Sequence, residues 1–426
     1  MLNVAEVDQR GLCLECGSCA GVCPHMNINL QPDNMGRFRI KIADPSKCVK
    51  CPRFCLSVCP GHEIDMDALN HQVFGKLPED YWSGNAIQSY LGFSTNNNIV
   101  SSAASGGIVT SLLIHALEKE MIDGVFLLQQ NEGDPFNPKL NLVSTADQVL
   151  NAAGSYYWPV PIGQQLKTIL KSKQKFAFVG LPCEIQALRK AQARFKQLND
   201  RIVFTIGLFC GGRTTVAGQK FAMSRYGIKS EGIDRLVYRH GEWPGHLWVQ
   251  TKDGGEIQIP KNKQLQGYTS QLICHRRCLF CHDPLSDLAD ISTGDALRLD
   301  DFRLQEERSI LLARTEIGQK LLEDAANAGK LKLRKVDIDK VLHSQKRPIM
   351  HKKQALWSRI ATADKAGLNV PSINITKPVD IEVSSKPSVR EALVILLSRM
   401  GDRKFFLMLY RLLPLKLLRR HSFFNR

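Results

Sequence analysis

The sequence lacks the long apolar run that a membrane-spanning helix requires. Hydrophobic residues make up 43% of the 426 residues, yet charged and polar residues interrupt every apolar stretch before it reaches about 18 residues. The first ten residues contain no basic segment followed by an apolar one, so a secretory signal peptide is not expected there. Both absences favour a cytoplasmic protein.

Signatures of nucleic-acid recognition are missing as well. The chain has no zinc-finger, RNA-recognition or helix-turn-helix pattern, and no low-complexity tract or solenoid repeat. Acidic residues are fewer than basic ones. The chain has 57 Lys and Arg but 41 Asp and Glu, which gives a formal net charge of +16. Such a balance either attracts acidic proteins, anionic cofactors or membrane surfaces, or only keeps the surface solvated. Nucleic acid is not an expected partner.

The thirteen cysteines do not have the spacing of a disulfide scaffold. Eight of them lie in two tight runs near the N-terminus, and thiols spaced this closely suit metal better than disulfides. The two runs are Cys13-x2-Cys16-x2-Cys19-x3-Cys23-Pro24 and Cys48-x2-Cys51-x3-Cys55-x3-Cys59-Pro60.

Both runs follow the pattern of two-cluster ferredoxins. There, three cysteines of one run and the fourth cysteine of the other bind one [4Fe–4S] cluster, and a proline ends each run. One cluster is thus assigned to Cys13, Cys16, Cys19 and Cys59. The other is assigned to Cys48, Cys51, Cys55 and Cys23. We predict a small α+β dicluster ferredoxin-like domain over residues 1–70.

Two features of the runs leave alternatives. The second run has three residues, Pro52-Arg53-Phe54, where the ferredoxin spacing has two, which leaves the individual assignments of Cys51 and Cys55 open. A pair of structural zinc knuckles is the other interpretation. Zinc sites, however, seldom supply four cysteines per run with a proline after the last.

From about residue 80 strand and helix patterns alternate, which predicts an α/β body with a mixed, partly parallel sheet. Predicted strands at 175–180 and 201–208 are followed by Cys183 and Cys210. Carboxyl ends of parallel strands meet at one sheet edge, where open α/β sheets bind their ligands. A loop with Cys274, Cys278 and Cys281 precedes a third element at 288–295.

These cysteines allow two interpretations. Cys183 and Cys210, together with the Cys278-x2-Cys281 loop, can supply four thiolates to a third cubane. Alternatively, the two strand-end cysteines are small core residues and the loop pair is a zinc or redox site. The chemistry of the residues alone does not decide between them.

A small-residue turn opens a predicted helix at 108–117, which is followed by a predicted strand at 124–128. The turn is Ser105-Gly106-Gly107. Its backbone N–H groups and the positive end of the helix dipole suit a phosphate, although small residues are also common helix caps.

Taken in order, these motifs resemble the coenzyme F420 hydrogenase/dehydrogenase beta-subunit family over roughly residues 10 to 345. The motifs that carry the resemblance are Ser105-Gly106-Gly107, Val179-Gly180-Leu181-Pro182-Cys183, Leu208-Phe209-Cys210, Cys278-x2-Cys281-x-Asp283 and Leu288-Ala289-Asp290-Ile291-Ser292-x-Gly294-Asp295. The resemblance implies FAD, one or more [4Fe–4S] clusters and electron transfer to or from an organic substrate. That substrate is the deazaflavin coenzyme F420 in some members, while other relatives act on chlorophyll intermediates or occur beside polysaccharide genes.

The resemblance also implies particular site residues. The FAD site would comprise Ser105, Gly106, Gly107, Thr110, Ser155 and Tyr157. The third-cluster ligands would be Cys183, Cys210, Cys278 and Cys281. Cys274 has no place in the family pattern. The body would then divide into a flavin-binding part at 80–165 and a part at 166–345 that holds the third-cluster cysteines.

We therefore expect an iron–sulfur flavoprotein oxidoreductase that relays electrons between ferredoxin-type clusters and an organic substrate through FAD. Coenzyme F420 is the candidate substrate, and a ferredoxin or a partner oxidoreductase subunit is the expected partner. One alternative is an electron-transfer subunit with no substrate of its own. The other is a redox enzyme of surface-polysaccharide biosynthesis.

Residues 346–426 form a basic tail with an amphipathic helical pattern from Val389 onward. The stretch 405–420 is apolar with interspersed cations, a composition that suits a membrane interface, a partner surface or packing on its own protein. Peripheral membrane contact is thus an open alternative to a purely cytoplasmic location. No cofactor motif lies beyond Asp295, so removal of residues after Lys386 is expected to leave the cofactors bound.

Overall fold

The computed structural model describes residues 1–131, 134–260, 264, 273–299, 307–377, 384–401, 408–409 and 412. Over these ranges, none of the helices combines the length and the apolar character needed to cross a bilayer.

The N-terminal region is the small α+β unit expected from the sequence. Its helices are α1 (Ala5–Gln9), α2 (Ser18–Gly21), α3 (Ser46–Val49), α4 (Phe54–Ser57) and α5 (Met66–Phe74). Its strands are β1 (Ile28–Pro32), β2 (Phe38–Ile42) and β3 (Glu63–Asp65). β1 and β2 form an antiparallel hairpin.

The body is built on a mixed sheet of eight strands within the described residues, in the order β14-β4-β13-β12-β8-β7-β5-β6. Strands of the body are β4 (Gln88–Ser94), β5 (Gly124–Gln129), β6 (Lys139–Val143), β7 (Phe176–Gly180), β8 (Ile202–Leu208), β9 (Ile233–His240), β10 (His246–Thr251), β11 (Glu256–Pro260), β12 (Ile291–Asp295), β13 (Ser309–Ala313) and β14 (Leu331–Val336). Four adjacent strands, β5, β7, β8 and β12, run parallel, and the outer pairs are antiparallel. The expected α/β class with a partly parallel sheet is confirmed.

The helices of the body and of the tail pack on both faces of this sheet and against the N-terminal region. They are α6 (Asn97–Ser102), α7 (Ile108–Glu118), α8 (Ala146–Asn151), α9 (Leu166–Lys171), α10 (Pro182–Gln192), α11 (Gln197–Arg201), α12 (Val216–Ser224), α13 (Arg276–Leu279), α14 (Glu316–Asn327), α15 (Ile338–Ser344), α16 (Lys346–Ile349), α17 (Leu356–Lys365) and α18 (Val389–Gly401). Short 3-10 turns occupy Ile162–Gln165 and Ser230–Gly232, and a π-helix spans Met350–Gln354.

Two apolar cores hold these layers together. α7 and α14 pack on one face of the sheet, against residues such as Val125 and Phe204. α9 and α10 pack on the other face, and the same core takes in Val58 and Met66 from the N-terminal region. Strands covered on both faces in this way need apolar side chains at nearly every position. The sequence Phe-Ala-Phe-Val-Gly of β7 meets that need.

The strands and the helix predicted around the site are confirmed. Strands predicted at 124–128, 175–180 and 201–208 correspond to β5, β7 and β8, and the helix predicted at 108–117 corresponds to α7. The two predicted body segments share one sheet, because β4 lies between β13 and β14. The antiparallel sheet β9-β10-β11 was not predicted.

The start of the tail is part of the packed molecule. Glu391 of α18 accepts a hydrogen bond from Arg359 of α17 at 2.6 Å, and both side chains are buried. Val394 and Ile395 join a core that contains Cys55 and Cys274. Removal of residues after Lys386 would therefore open this core, contrary to the expectation from the sequence. Most of the stretch 405–420 lies outside the described residues.

Candidate iron–sulfur and flavin sites

The first group of thiols surrounds a small cavity. Its lining includes Gly17, Gly61 and four cysteines, Cys13, Cys16, Cys19 and Cys59. Gly17, with a φ of +81°, precedes α2 and turns the loop back around the cavity. Cys59 comes from the second run, so the enclosure matches the crosswise assignment of the ligands.

The space and the chemistry of this group suit a cluster. Burial, together with the neighbouring Cys59 thiol, raises the pKa of Cys16 to about 11. Four thiols this close together are stable as thiolates only when a cation binds them, because each charge opposes the others. In the part of the chain that the structure describes, no three His, Cys, Asp or Glu side chains converge on one ion position. The thiols instead stand around a space, as ligands of a cubane do.

Asn27 holds the second group together. Its backbone N–H donates to Cys23 Sγ at 3.4 Å, and its side-chain Nδ2 donates to Cys48 Sγ at 3.6 Å. Burial raises the pKa of Cys55, and the nearby Cys23 and Cys51 thiols raise it further. The four cysteines assigned to the second cluster are thus neighbours. Asn27 lies in neither cysteine run, and no spacing rule identifies it.

The extra residue of the second run is absorbed by a left-handed turn. Arg53 has a φ of +58° immediately before α4, and its side chain points to solvent. The next residue, Phe54, packs edge-on against Phe195 of the body with ring centroids 4.9 Å apart. The longer spacing therefore anchors the second group to the body and leaves its cysteines together.

The third group of thiols gathers at the carboxyl edge of the sheet. Cys183 is the second residue of α10 and follows β7, while Cys210 follows the parallel neighbour β8. Burial, together with the nearby thiols of Cys274, Cys210 and Cys281, raises the pKa of Cys278 to about 12. Cys183 is close enough to Cys278 for their charges to interact. Cys274 also lies beside Cys278, and its Sγ is 3.7 Å from Ser398 Oγ.

Lys352 of the π-helix reaches into this third group. Its Nζ donates to Cys281 Sγ at 3.4 Å and to the carbonyl oxygen of Asp283 at 3.1 Å, and the residue is buried. The pKa of Lys352 lies above its usual range. Burial alone would lower this pKa, but the negative charges of the Cys281 and Cys210 thiolates have the larger, opposite effect. No local sequence pattern indicates this contact, because Lys352 lies about 70 positions after Cys281.

Two buried arginines lie between the first and the third group. Arg277 donates from Nε and Nη2 to the carbonyl oxygen of Pro60, which follows Cys59, at 3.1 and 3.0 Å. Burial lowers its pKa, while the thiols of Cys281 and Cys278 oppose that shift. Arg213 donates to the carbonyl oxygen of Leu14 at 3.0 Å. The arginines thus tie the loops of the two groups together.

The residues predicted to bind FAD begin at the same sheet edge. Ser105 Oγ donates to the carbonyl oxygen of Arg308 at 2.6 Å, and Gly106 N–H donates to Ser309 Oγ at 2.9 Å. A Cβ on Gly106 would lie 2.7 Å from the carbonyl oxygen of Gly92, and one on Gly107 would lie 2.8 Å from Ile99. Close packing against β4 and α6 is thus a sufficient reason for both glycines.

The remaining predicted FAD residues lie near that turn. Thr110 is buried in the first turn of α7, and the half-buried Ser155 follows a loop that approaches Ser102. Tyr157 packs edge-on against Tyr238, with ring centroids 5.1 Å apart.

An unpredicted ion pair links the three-stranded sheet to this edge. Arg239, next to Tyr238 on β9, donates to both carboxylate oxygens of Asp295 at 2.9 and 3.2 Å. Asp295 ends β12 opposite Ser309 of β13, the residue that binds the Ser105 turn. Arg239, Asp295 and Ser309 therefore link the strand that carries Tyr238, the partner of Tyr157, to the Ser105-Gly106 turn.

Comparison with known proteins adds a second line of information. Family models for the coenzyme F420 hydrogenase/dehydrogenase beta subunit match residues 89–167 for the N-terminal part and residues 173–339 for the C terminus. The coenzyme F420 hydrogenase subunit beta of Methanococcus voltae is 30% identical over 68% of this chain and 99% of that protein. The chain belongs to this beta-subunit family. A 4Fe–4S dicluster domain model matches residues 12–62, so this member carries a dicluster domain ahead of the family body.

Other relatives show the range of the family. The coenzyme F420-dependent sulfite reductase of Methanocaldococcus jannaschii is 26% identical over 77% of this chain and 47% of that protein. A chain of the F420-reducing [NiFe] hydrogenase complex from Methanosarcina barkeri has the same fold, with a TM-score of 0.54 and 24% identity. That likeness covers 69% of this chain and 98% of the other. The protein is therefore an iron–sulfur oxidoreductase of the beta-subunit family.

Proposed function

We propose that the chain relays electrons, through FAD, between ferredoxin-type clusters and an organic substrate, for which coenzyme F420 is the candidate. The observation that carries the proposal is the side-by-side order of three cysteine groups that ends at the sheet edge with the predicted FAD residues. When bound, FAD exchanges a hydride with a substrate and single electrons with iron–sulfur clusters.

The order of the groups follows from shared neighbours. Cys55 of the second group lies close enough to Cys19 of the first for their charges to interact. Cys16 of the first group stands in the same relation to Cys183 of the third. Arg277 is near Cys183 and also near Cys59 of the first group. Phe209 and Cys210 leave β8 beside Gly294 of β12, one residue before Asp295. The sequence of contacts thus runs from the N-terminal surface to the proposed flavin edge.

The chain's own residues would keep such clusters bound and dry. Twelve thiols supply four ligands to each of three cubanes, the number that this cluster type requires. Arg277 and Lys352 add two buried cations beside the first and third groups, which offsets the negative charge of thiolate-bound clusters. The third buried cation, Arg213, also faces the buried carboxylate of Glu184 at 3.7 Å. Apolar neighbours such as Val7, Leu30 and Ile40 line the first cavity and exclude water.

Reduced coenzyme F420 tests the proposal directly. Added without oxygen to protein that contains flavin and iron, it should bleach the visible absorbance of the clusters within the mixing time of a manual assay. The Cys210→Ser variant should keep its flavin and lose rapid bleaching, because its third group lacks one ligand. No bleaching of the intact protein by reduced coenzyme F420 would contradict this substrate.

A second candidate is an electron-transfer subunit with no substrate of its own. It is favoured by the names of the relatives, several of which are subunits of larger hydrogenases or dehydrogenases. We propose either a partner oxidoreductase subunit or a ferredoxin as the electron donor or acceptor. Isolated protein with clusters but no flavin would favour the subunit. The names of these similar proteins are those of redox enzymes or their subunits, so a role in polysaccharide synthesis is not proposed.

A further inference from the structure

We propose that the surface around the second cysteine group is the docking site for a small, acidic, one-electron carrier protein. The basic rim, as this surface is called below, consists of Met26, Lys41, Lys47, Val49, Lys50 and Arg53. The proposal rests on the electron relay proposed above and adds the place where electrons enter or leave and the chemistry of the partner.

The second group is the part of the relay that reaches solvent. The residues on either side of Cys48 and Cys51, including Lys47, Val49 and Lys50, are exposed. The first group differs, because both neighbours of Cys16 are buried. In the third group, Arg277 and Leu279 on either side of Cys278 are buried as well, and of the residues next to its four cysteines Gly211 alone is exposed. A carrier that touches the surface therefore comes nearest to the second group.

The charge of the rim has one sign. Residues 41–53 contain four cations, Lys41, Lys47, Lys50 and Arg53, and a single carboxylate, Asp44. Asp44 is 3.9 Å from Lys47. For Lys50 and Arg53 the described part of the chain provides no ion-pair partner. These two side chains are available to carboxylates of another protein, and an excess of exposed cations speeds encounter with an acidic partner.

Exposed apolar side chains accompany the cations. Met26, three residues after Cys23, is 60% exposed, and Val49, directly after Cys48, is 66% exposed. Asn27 joins the two segments, because it bonds both Cys23 and Cys48. An apolar centre surrounded by charge is the usual composition of a transient protein interface.

The inserted residue of the second run contributes to this rim. Arg53 occupies the left-handed region at φ +58°, which a long side chain adopts only against a steric penalty. The turn directs its guanidinium to solvent beside Cys51 and Cys55, where it makes no ion pair within the described residues. The departure from ferredoxin spacing thus places a cation at the surface nearest the second group.

The transfer itself moves one electron and no atoms. A reduced carrier is oxidised by one electron at the rim, and the iron–sulfur centre held by the second group is reduced by one electron. The reverse direction balances in the same way. No bond forms or breaks, so docking needs to provide proximity only.

Stopped-flow reduction of the anaerobic, cluster-containing full-length protein tests the docking site. The variant Lys50→Glu/Arg53→Glu reverses two rim charges; Glu at position 53 adopts the left-handed turn no less easily than Arg. The matched control, Lys173→Glu/Lys175→Glu, makes the same charge change at two exposed lysines before β7, at the opposite edge of the sheet from Cys183. The probes are a reduced acidic [2Fe–2S] ferredoxin and the methyl viologen radical cation.

We expect the rim variant to react with the ferredoxin about tenfold or more slowly at low salt, as loss of electrostatic steering implies. The difference should shrink at high salt, and the control variant should behave like the original protein. Methyl viologen should reduce all three proteins, because a small cation does not depend on a docking face for an acidic protein.

Two results would overturn the proposal in distinguishable ways. Equal, salt-independent rates with ferredoxin for all three proteins, alongside normal reduction by viologen, would remove the docking site and leave the relay intact. Failure of viologen to reduce the clusters of the original protein would contradict the relay itself and the docking site with it.

Discussion

Lys352 is a buried cation beside the thiols of the third cysteine group. Lys352 donates to Cys281 Sγ, while its neighbour Lys353 donates to Asp287 at 2.7 Å and makes no contact of this kind with a thiol. Hydrogen bonds and positive charge at cluster sulfurs raise the reduction potential of the cluster. Two adjacent lysines thus have separate tasks, one beside a ligand and one within an internal ion pair.

Replacing Lys352 by Met should therefore lower the reduction potential of one cluster. We expect a decrease of roughly 60 mV or more, the one-electron equivalent of a tenfold change in equilibrium constant. Lys352→Arg should retain most of the original potential, because the charge remains. A redox titration followed by electron paramagnetic resonance measures both. The control is Lys353→Met, and equal shifts in the Lys352 and Lys353 variants would show that Lys352 has no specific effect.

At this scale the sequence identifies ligands well and their supporting residues poorly. The ligand cysteines can be recognised in the sequence because a [4Fe–4S] cluster constrains their spacing within a run. Asn27 and Lys352 bond to the thiols from outside the runs, and their positions are set by packing alone. No local sequence pattern identifies either residue as a neighbour of a cluster ligand.

The start of helix α7 is the element on which the proposed flavin site depends. Ser105 and Gly106 are fixed to β13 and the residue before it through Ser309 and Arg308. Bulky substitution of Gly107 would meet Ile99 and Ser94, so loss of flavin in such a variant would not separate binding from folding. A test at Ser105 avoids that difficulty.

Ser105→Asp places a carboxylate at the N-terminal end of α7. The negative charge interacts favourably with the helix dipole but repels the diphosphate of FAD. We expect folded, iron-containing protein with little flavin. Ser105→Ala removes the hydroxyl without adding charge and should keep most of the flavin. The test is to measure the flavin and iron content of both variants, with thermal unfolding as a check that each variant is folded. Full flavin occupancy in Ser105→Asp would place the diphosphate elsewhere.

Elements with a regular pattern were predictable from the sequence, and irregular ones were not. β5, β7 and β8 are short buried runs, which their apolar sequences reveal. β9 pairs with β10 through two register shifts, so its apolar residues lose the period of two that marks a strand. The place of β4 between β13 and β14 depends on contacts more than 200 residues apart, which no local pattern encodes.

At the scale of the whole molecule, α18 closes a core that includes cysteines of all three groups. Arg359, the partner of Glu391, also donates to the carbonyl oxygen of Leu279 at 2.7 Å, within the loop of Cys278 and Cys281. The segment 384–401 is thus structural, whereas residues beyond it supply much of the excess positive charge.

Truncation at two points should separate these roles. Ending the chain after Gly401 should leave iron content and thermal stability unchanged. Ending it after Lys386 leaves Arg359 buried without its carboxylate, which costs about 3–5 kcal/mol, and should lower both the unfolding temperature and the iron content. Glu391→Gln should reproduce part of the loss of stability. If both truncations behave like the full chain, α18 is dispensable.

We propose that twelve cysteines form three cluster sites in one chain, and the iron content of anaerobically purified protein decides whether they do. Iron analysis, combined with Mössbauer spectra to establish cluster type, should give about twelve irons per chain, all in [4Fe–4S] clusters. A reproducible value of about eight, unchanged in the Cys210→Ser variant, would contradict the account and return the third group of thiols to the protein core.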